Sequence, residues 1–207
     1  ERMVIDIDLE PIMGFLYINA EYQNIKISTA WEKLYTDLNE LRIGTYLIKA
    51  ELFGFEPWEQ NVSIYEDQTT NLTIEMEPAE FRISDLVVNR KAFNPDNPSG
   101  LGESRISFDV TTYGTGELEI FSMNGESVLK HNFSSFTKSE QGYSWNGKDS
   151  YGKKLPDGSY RLVVSGRDLN GNNSELKETE AVIDSSLIIR IRNVFSGVSG
   201  TLFCPTP

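Results

Sequence analysis

The chain has 207 residues, a mass of 23.4 kDa and a formal net charge of −12, with 39% hydrophobic and 24% charged residues. That length holds one large domain or two small ones, and the apolar share is that of a folded protein rather than a disordered one. The 1 Cys excludes an intramolecular disulfide and a Cys-based zinc site, the 1 His leaves any histidine-paired catalysis to His131, and the acidity argues against a nucleic-acid binder, which needs clustered Lys and Arg.

The charge is unevenly spread. Residues 1–79 hold 15 Asp/Glu against 5 Lys/Arg, whereas residues 80–207 hold 16 against 14. This marks two units with different surfaces, the first acidic for solubility or for meeting a basic partner or cations. No apolar run reaches the roughly 18–20 residues of a membrane-spanning helix. The stretch Ser186-Leu187-Ile188-Ile189 is cut short by Arg190. The chain opens on Glu1 without a charged-then-apolar leader and is read as a processed product or an excised piece. Its scarcity of Cys fits an exported protein as well as a cytosolic one.

Along the first unit, the best helix candidate runs from Thr29 to Leu41 with Trp31, Leu34 and Leu38 as its apolar positions, but strands and turns are the preferred reading. Tyr46, Ile48, Ala50 and Leu52 then alternate with Thr45, Leu47, Lys49 and Glu51. Val62 and Ile64 do the same, as do Leu72, Ile74 and Met76 against Thr73, Glu75 and Glu77. Successive side chains of a strand point to opposite faces, so each run predicts a half-buried strand. A boundary is expected near Pro78-Ala79-Glu80, since Pro78 disfavours continuing the ladder. The loop Asn94-Pro95-Asp96-Asn97-Pro98-Ser99-Gly100 leads into a second strand set. There Ile106, Phe108 and Val110 alternate, followed by Leu118 and Ile120, Tyr143 and Trp145, and Tyr160, Leu162 and Val164. Asn124-Gly125, Asp157-Gly158 and Asn170-Gly171 read as hairpin turns, because these dipeptides tolerate the positive φ of two-residue turns. The Gly/Ser-rich stretch Asn193 to Pro207 reads as a tail or the start of another domain. The expected fold class is all-β, two tandem β-sandwich (Ig-like) domains at 1–79 and 80–184, followed by 185–207.

Three stretches of the first unit carry a resemblance: Leu41-Arg42-Ile43-Gly44-Thr45-Tyr46, Gly54-Phe55-Glu56-Pro57-Trp58-Glu59, and the strand pair ending at Pro78. Over residues ~12–78 this unit resembles a PEGA-type domain, a small β-sandwich of exported bacterial proteins. The Pro and Gly of that family's name-giving motif are absent around Asn19-Ala20-Glu21-Tyr22. Phe55 and Trp58 are placed to cap the open end of the sandwich. In the second unit the carriers are Phe93-Asn94-Pro95, Leu118 to Gly125, Tyr143 to Gly152 and Leu155 to Tyr160. Over residues ~85–184 this unit resembles the Ig-like domain of the flagellar hook-capping protein, with Asn146 where the family usually has Asp. Trp145 and Tyr160 read as core anchors. The resemblances imply a non-catalytic assembly or spacer module in the periplasm, cell envelope or surface.

Reactive chemistry finds little support. His131 follows an apparent strand with no evident nucleophile, and Cys204 sits beside Pro205 in the tail. Gly197-Val198-Ser199-Gly200 misses the nucleophile-elbow spacing, and no phosphate loop or dinucleotide fingerprint occurs. The pairs Asp6/Asp8 and Glu75/Glu77 each share a strand face but read as solvated acids. Asp168, Asn170, Asn172 and Glu175 offer oxygen ligands in the manner of a calcium loop, yet Gly and Glu fall at the wrong positions, and a polar hairpin is the preferred reading. Trp31, Trp58 and Trp145 offer a sugar-stacking platform, with the core the preferred place for each. The expectation is therefore a chain with no catalytic residue, no cofactor and no metal. It acts as a spacer or scaffold for a protein partner or cell-envelope component, without nucleic acid or a membrane-spanning segment. The alternative is a carbohydrate-binding accessory module.

Overall fold

The alternating apolar residues close two separate cores, one drawn from residues 16–76 and one from residues 81–183. The protein, seen in a computed structural model that describes residues 10–171 and 174–188, is all-β: two tandem β-sandwiches. In the first sandwich β1 (Met13–Asn19) lies between β4 (Asp37–Arg42) and β7 (Thr69–Thr73), antiparallel to the former and parallel to the latter. The facing sheet runs β3 (Lys33–Leu34), β2 (Lys26–Ser28), β5 (Gly44–Glu51), β6 (Trp58–Ile64). Leu16 and Ile18 from one sheet meet Ile48, Ala50, Val62 and Ile64 from the other, every second residue of each strand, as the pleat requires.

The Thr29–Leu41 segment is turn and strand, as preferred over the helix. Leu34 and Leu41 face the core, while Trp31 and Leu38 face solvent, a pattern no single helical stripe provides. The buried Asn39 organises the passage from β3 to β4. Its Oδ1 accepts the Tyr35 N–H at 2.9 Å, and its Nδ2 donates to the Tyr35 carbonyl at 2.8 Å and to the Leu16 carbonyl at 3.4 Å.

The second sandwich packs a three-stranded sheet, β13 (Glu140–Trp145), β10 (Ser104–Val110), β8 (Ile83–Val88), on a five-stranded sheet. The latter runs β12 (Ser127–Phe136), β11 (Gly114–Ser122), β14 (Gly158–Asp168), β15 (Ser174–Ile183), β9 (Ala92–Phe93). Trp145 is fully buried, its ring edge-on to Tyr160 at 5.3 Å and to Phe93 at 5.5 Å. Its Nε1–H, which would otherwise be a stranded donor, meets the Lys148 carbonyl at 3.1 Å. At the other end of this core Phe81 and Phe136 stack at 6.1 Å, with Phe108 edge-on to Phe136. Gly116 makes room for them. A Cβ on Gly116 would stand 2.6 Å from Phe136 Cζ and 2.7 Å from the Ser165 carbonyl oxygen.

Two of the three hairpin signals form hairpins. Asn124-Gly125 joins β11 to β12, and Asn170-Gly171 lies between β14 and β15, with the Gly171 N–H returning to the Asp168 carbonyl at 3.0 Å. Asp157-Gly158 does not. The preceding strand β13 belongs to the three-stranded sheet and β14 to the five-stranded one, and packed sheets lie about 10 Å apart, beyond the reach of a two-residue turn. Residues 146–157 instead cross between the sheets. The Asp157 carboxylate accepts the Ser185 hydroxyl at 2.7 Å and the Ser185 N–H at 3.0 Å, which holds it below the usual carboxylate range. Residues 185 and 187 are bonded back to the sandwich: Asn94 Nδ2 donates to the Ser185 carbonyl and Asn97 Nδ2 to the Leu187 carbonyl, both at 2.9 Å. The expected Asn193–Pro207 tail lies outside the described residues.

Replacing Gly116 by Ala forces the Phe136 ring or the β14 backbone to move. The expected loss is about 1–3 kcal/mol of unfolding free energy in urea titration, with the fold retained.

Candidate interaction surfaces

The residues with catalytic or ligating chemistry are scattered. His131 sits on the edge strand β12, its ring half-buried 4.5 Å from the Tyr143 ring and 4.8 Å from that of Phe133, and neither nitrogen has a hydrogen-bond partner among the described residues. Burial raises the Tyr143 phenol above its ordinary value. Glu75 and Glu77 are exposed beyond the end of β7, while Asp6, Asp8 and Cys204 lie outside the described residues.

Three of the four calcium-loop residues lie among the described ones. Asp168 ends β14 and Asn170 stands in the following turn, but the Glu175 carboxylate is spent elsewhere, accepting the Ile83 N–H of β8 at 2.9 Å. Asn172 lies outside the described residues. Among the described residues, no three His, Cys, Asp or Glu side chains gather to hold a metal ion. The three tryptophans do not form a platform either. Trp145 is core, Trp58 is half-buried against the first core, and Trp31 stands 82% exposed, against the expectation that it would be buried. The reason is local: Trp31 lies in the turn between β2 and β3, where no pleat turns it inward.

Two extended features stand out among the described residues. The first is the outer face of the five-stranded sheet, where the register sets side chains of four strands in rows. Lys130 of β12 binds Glu119 of β11 at 2.9 Å and Glu117 at 3.6 Å, and Arg161 of β14 binds Glu178 of β15 at 3.2 Å. Arg161 also lies over the Phe121 ring at 4.7 Å. Beside this ladder, short side chains at Thr115 and Ser165 leave an open groove of about 600 Å³ bordered by Asn132, Arg167 and Leu176. Burial, the largest single influence on Glu119, raises its pKa. Hydrogen bonds from Ser127 and Lys130, with the charges of Lys130 and Arg161, outweigh it and hold the carboxyl below its ordinary value of 4.5.

The second feature is the junction. Phe53, from the β5–β6 loop of the first sandwich, packs against the core of the second and meets Tyr113 edge-on at 4.9 Å. Next to it, the Gly54 N–H donates to the Thr111 carbonyl at 3.2 Å, and the Gly54 carbonyl accepts the Ala79 N–H at 3.0 Å. The linker is fixed on its other flank as well. The Arg82 N–H donates to Thr111 Oγ1 at 2.9 Å, and the Thr111 hydroxyl donates to the Glu80 carbonyl. Gly54 has φ +94°, and a Cβ there would lie 3.0 Å from Tyr113 Cε2, so this position suits glycine on both counts. A groove of about 440 Å³ runs along the junction between Lys26, Glu51 and Glu56 on one side and Asp109, Thr137 and Lys138 on the other.

Comparison with known proteins gives one family for part of the chain. Residues 96–169 match the family model of the FlgD Ig-like domain, inside the stretch where the sequence shows that resemblance. No curated protein matches the chain. Among solved structures, the chain is similar to dimeric latent PorU from Porphyromonas gingivalis, at 11% identity and a TM-score of 0.39, over 84% of this chain and 18% of that one. It is also similar to the fibronectin(III)-like modules of Clostridium thermocellum CbhA, at 9% identity and a TM-score of 0.35, over 91% of this chain and 87% of the other. Both are remote likenesses.

The Glu119 carboxylate gives the sheet face a pH signature. Its folded pKa lies below 4.5, so its contribution to stability is whole above that pH and is lost as the pH falls through the folded value. Glu119→Gln is expected to be less stable than the parent at pH 7, with the gap closing as the pH drops below 4.5, read from urea midpoints across the range.

Proposed function

We propose that this chain is a non-enzymatic spacer and protein-binding scaffold of an exported bacterial protein, in which two β-sandwiches act as one stiff body. The observation that carries this reading is the junction. A flexible linker leaves its backbone groups to water, whereas here residues 79–82 are bonded to Gly54 on one side and Thr111 on the other, and Phe53, partly buried, packs against the neighbouring core. A chain segment stitched on both flanks transmits orientation from one unit to the next.

The match of residues 96–169 to an Ig-like domain supports an interaction module, and in this reading the first unit is PEGA-type, on the resemblance of Leu41–Tyr46, Gly54–Glu59 and the strand pair ending at Pro78. In that reading the module works outside the cytoplasm, in the periplasm, the envelope or at the surface. No helix among the described residues is long and apolar enough to cross a membrane. Partners would be met through sheet edges and end loops, since an edge strand offers unpaired backbone donors and acceptors to an added strand. β4 and β12 are such edges in the strand order.

Small-angle scattering of the intact chain, beside Gly54→Val, tests this function. The parent profile is expected to fit one conformation. In Gly54→Val the added side chain meets Tyr113 and the backbone at φ +94° is strained, so the profile is expected to require an ensemble while each sandwich keeps its own unfolding transition. A parent profile that already requires an ensemble contradicts the stiff-spacer reading. Release of product from a polysaccharide by the purified chain contradicts its non-enzymatic part.

A further inference from the structure

β13 is the outermost strand of its sheet, and its register leaves one side of its backbone unspent. Along an antiparallel strand, successive residues turn their main-chain groups to opposite sides. Two sets of bonds fix which residues turn where. The Val110 N–H donates to the Ser139 carbonyl at 3.0 Å, so residues 139, 141 and 143 face β10. Arg105 spends both main-chain groups on Asn89, just past β8, donating to its Oδ1 at 2.8 Å and accepting its N–H at 2.9 Å. Ser144, the register partner of Arg105, therefore receives no bond from β10. The N–H and C=O groups of Glu140, Gly142 and Ser144 point out of the sheet, and none has a partner among the described residues. This open edge is one wall of a slot of about 340 Å³ lined by residues 140–144 and, from the facing sheet, by His131 and Phe133 of β12. The rings meet there: His131 stands 4.5 Å from Tyr143 and 4.8 Å from Phe133, and all three are half-buried. On the outer face of the strand, Gly142 has no side chain to keep the Arg105 guanidinium away, and a Cβ there would lie 3.6 Å from Arg105 Nη2.

We infer that the open edge of β13 takes up an extended strand of a partner protein in which apolar and acidic side chains alternate. The wall itself selects a peptide. It offers main-chain donors and acceptors at every second residue, about 7 Å apart, a spacing that another extended backbone matches. A strand laid there sends one row of side chains inward onto His131, Phe133 and Tyr143, which suits apolar residues. Its other row stands on the outer face beside Arg105 and Lys138, and charge selects acids for it. Arg105 and Glu140 answer each other at 3.3 Å, whereas Lys138 has no ion partner among the described residues, so the slot carries a surplus positive charge in a chain of net charge −12. A second copy of β13 supplies no surplus of negative charge, because it brings Lys138 along with Glu140. Of the edges that flank the slot, β13 is the open one. In β12 register shifts interrupt the ladder near both ends, and the Val128 carbonyl already accepts the Ser150 N–H at 3.0 Å. The inference deepens the protein-binding part of the proposed function and rests on it, but not on the stiffness of the junction.

The test titrates the intact chain with short peptides in which Asp or Glu alternates with Val, Ile or Phe, and with a matching set carrying Lys in place of each acid, read by calorimetry and amide hydrogen exchange. The acidic set is expected to bind, more weakly as salt rises, and to slow exchange at Glu140, Gly142 and Ser144. Gln141 and Tyr143, whose main-chain groups already face β10, are expected to exchange as before. Ser144→Pro removes an outward N–H that an edge strand tolerates losing, and is expected to weaken binding about tenfold. Lys138→Glu changes an exposed residue outside the strand and is expected to weaken it about fivefold. Lys177→Glu, an exposed position on β15, is expected to leave it unchanged. The inference is overturned if no acidic peptide binds, if the Lys set binds as tightly, or if binding leaves exchange at Glu140, Gly142 and Ser144 as it was. A dimer in sedimentation that Ser144→Pro dissolves overturns it as well, since a second copy then holds the edge. None of these results alters the scattering of the free chain, which tests the stiff junction separately.

Discussion

The arrangement of the molecule depends on a few hydrogen bonds at one glycine. Gly54 turns the β5–β6 loop of the first sandwich back on itself and, from the same residue, donates to Thr111 of the second sandwich and accepts from Ala79 of the linker. A side chain there would press on Tyr113, and a positive φ would strain any residue that carried one. Phe53 beside it adds an aromatic contact to the neighbouring core. Remove this junction and two sandwiches remain, each with its own core and free to turn against the other.

Within each sandwich the polar residues serve structure before chemistry. Asn39 satisfies the β3–β4 turn, Asp157 anchors Ser185, Glu175 meets the Ile83 N–H across the sandwich, and Lys130 and Arg161 neutralise glutamates along the outer sheet face. None of the buried side-chain nitrogen or oxygen atoms among the described residues lacks a partner. In the proposed reading, recognition is to be sought in exposed rings, charged rows and strand edges.

Much of the fold was legible in the residues because alternation is a local signal. The runs at Tyr46–Ala50, Ile106–Val110 and Tyr160–Val164 lie on strands, with Ile48 and Ala50, Ile106, Phe108 and Val110, and Tyr160, Leu162 and Val164 buried, and Trp145 and Tyr160 meet in the core. Asn124-Gly125 and Asn170-Gly171 make their turns for equally local reasons. Asp157-Gly158 misled because a turn-prone dipeptide carries no record of which sheet the next strand joins. Trp31 misled because a residue beside a strand is not subject to its pleat. The charged rows of the five-stranded sheet and the Gly54–Thr111 junction were not legible at all. Both bring together residues distant in the chain, and they follow only from strand register and from the docking of one sandwich on the other.

The stiffness of the junction is therefore the claim on which the functional reading turns, and residual dipolar couplings on the intact chain test it most directly. Backbone amides of the first and second sandwiches, fitted separately, should return alignment tensors of the same magnitude and orientation, with Gly54 and Ala79 among the slowly exchanging amides. Tensors of clearly different magnitude for the two sandwiches, together with fast exchange at Gly54 and Ala79, would mean that the units reorient independently and that the chain is a flexible pair.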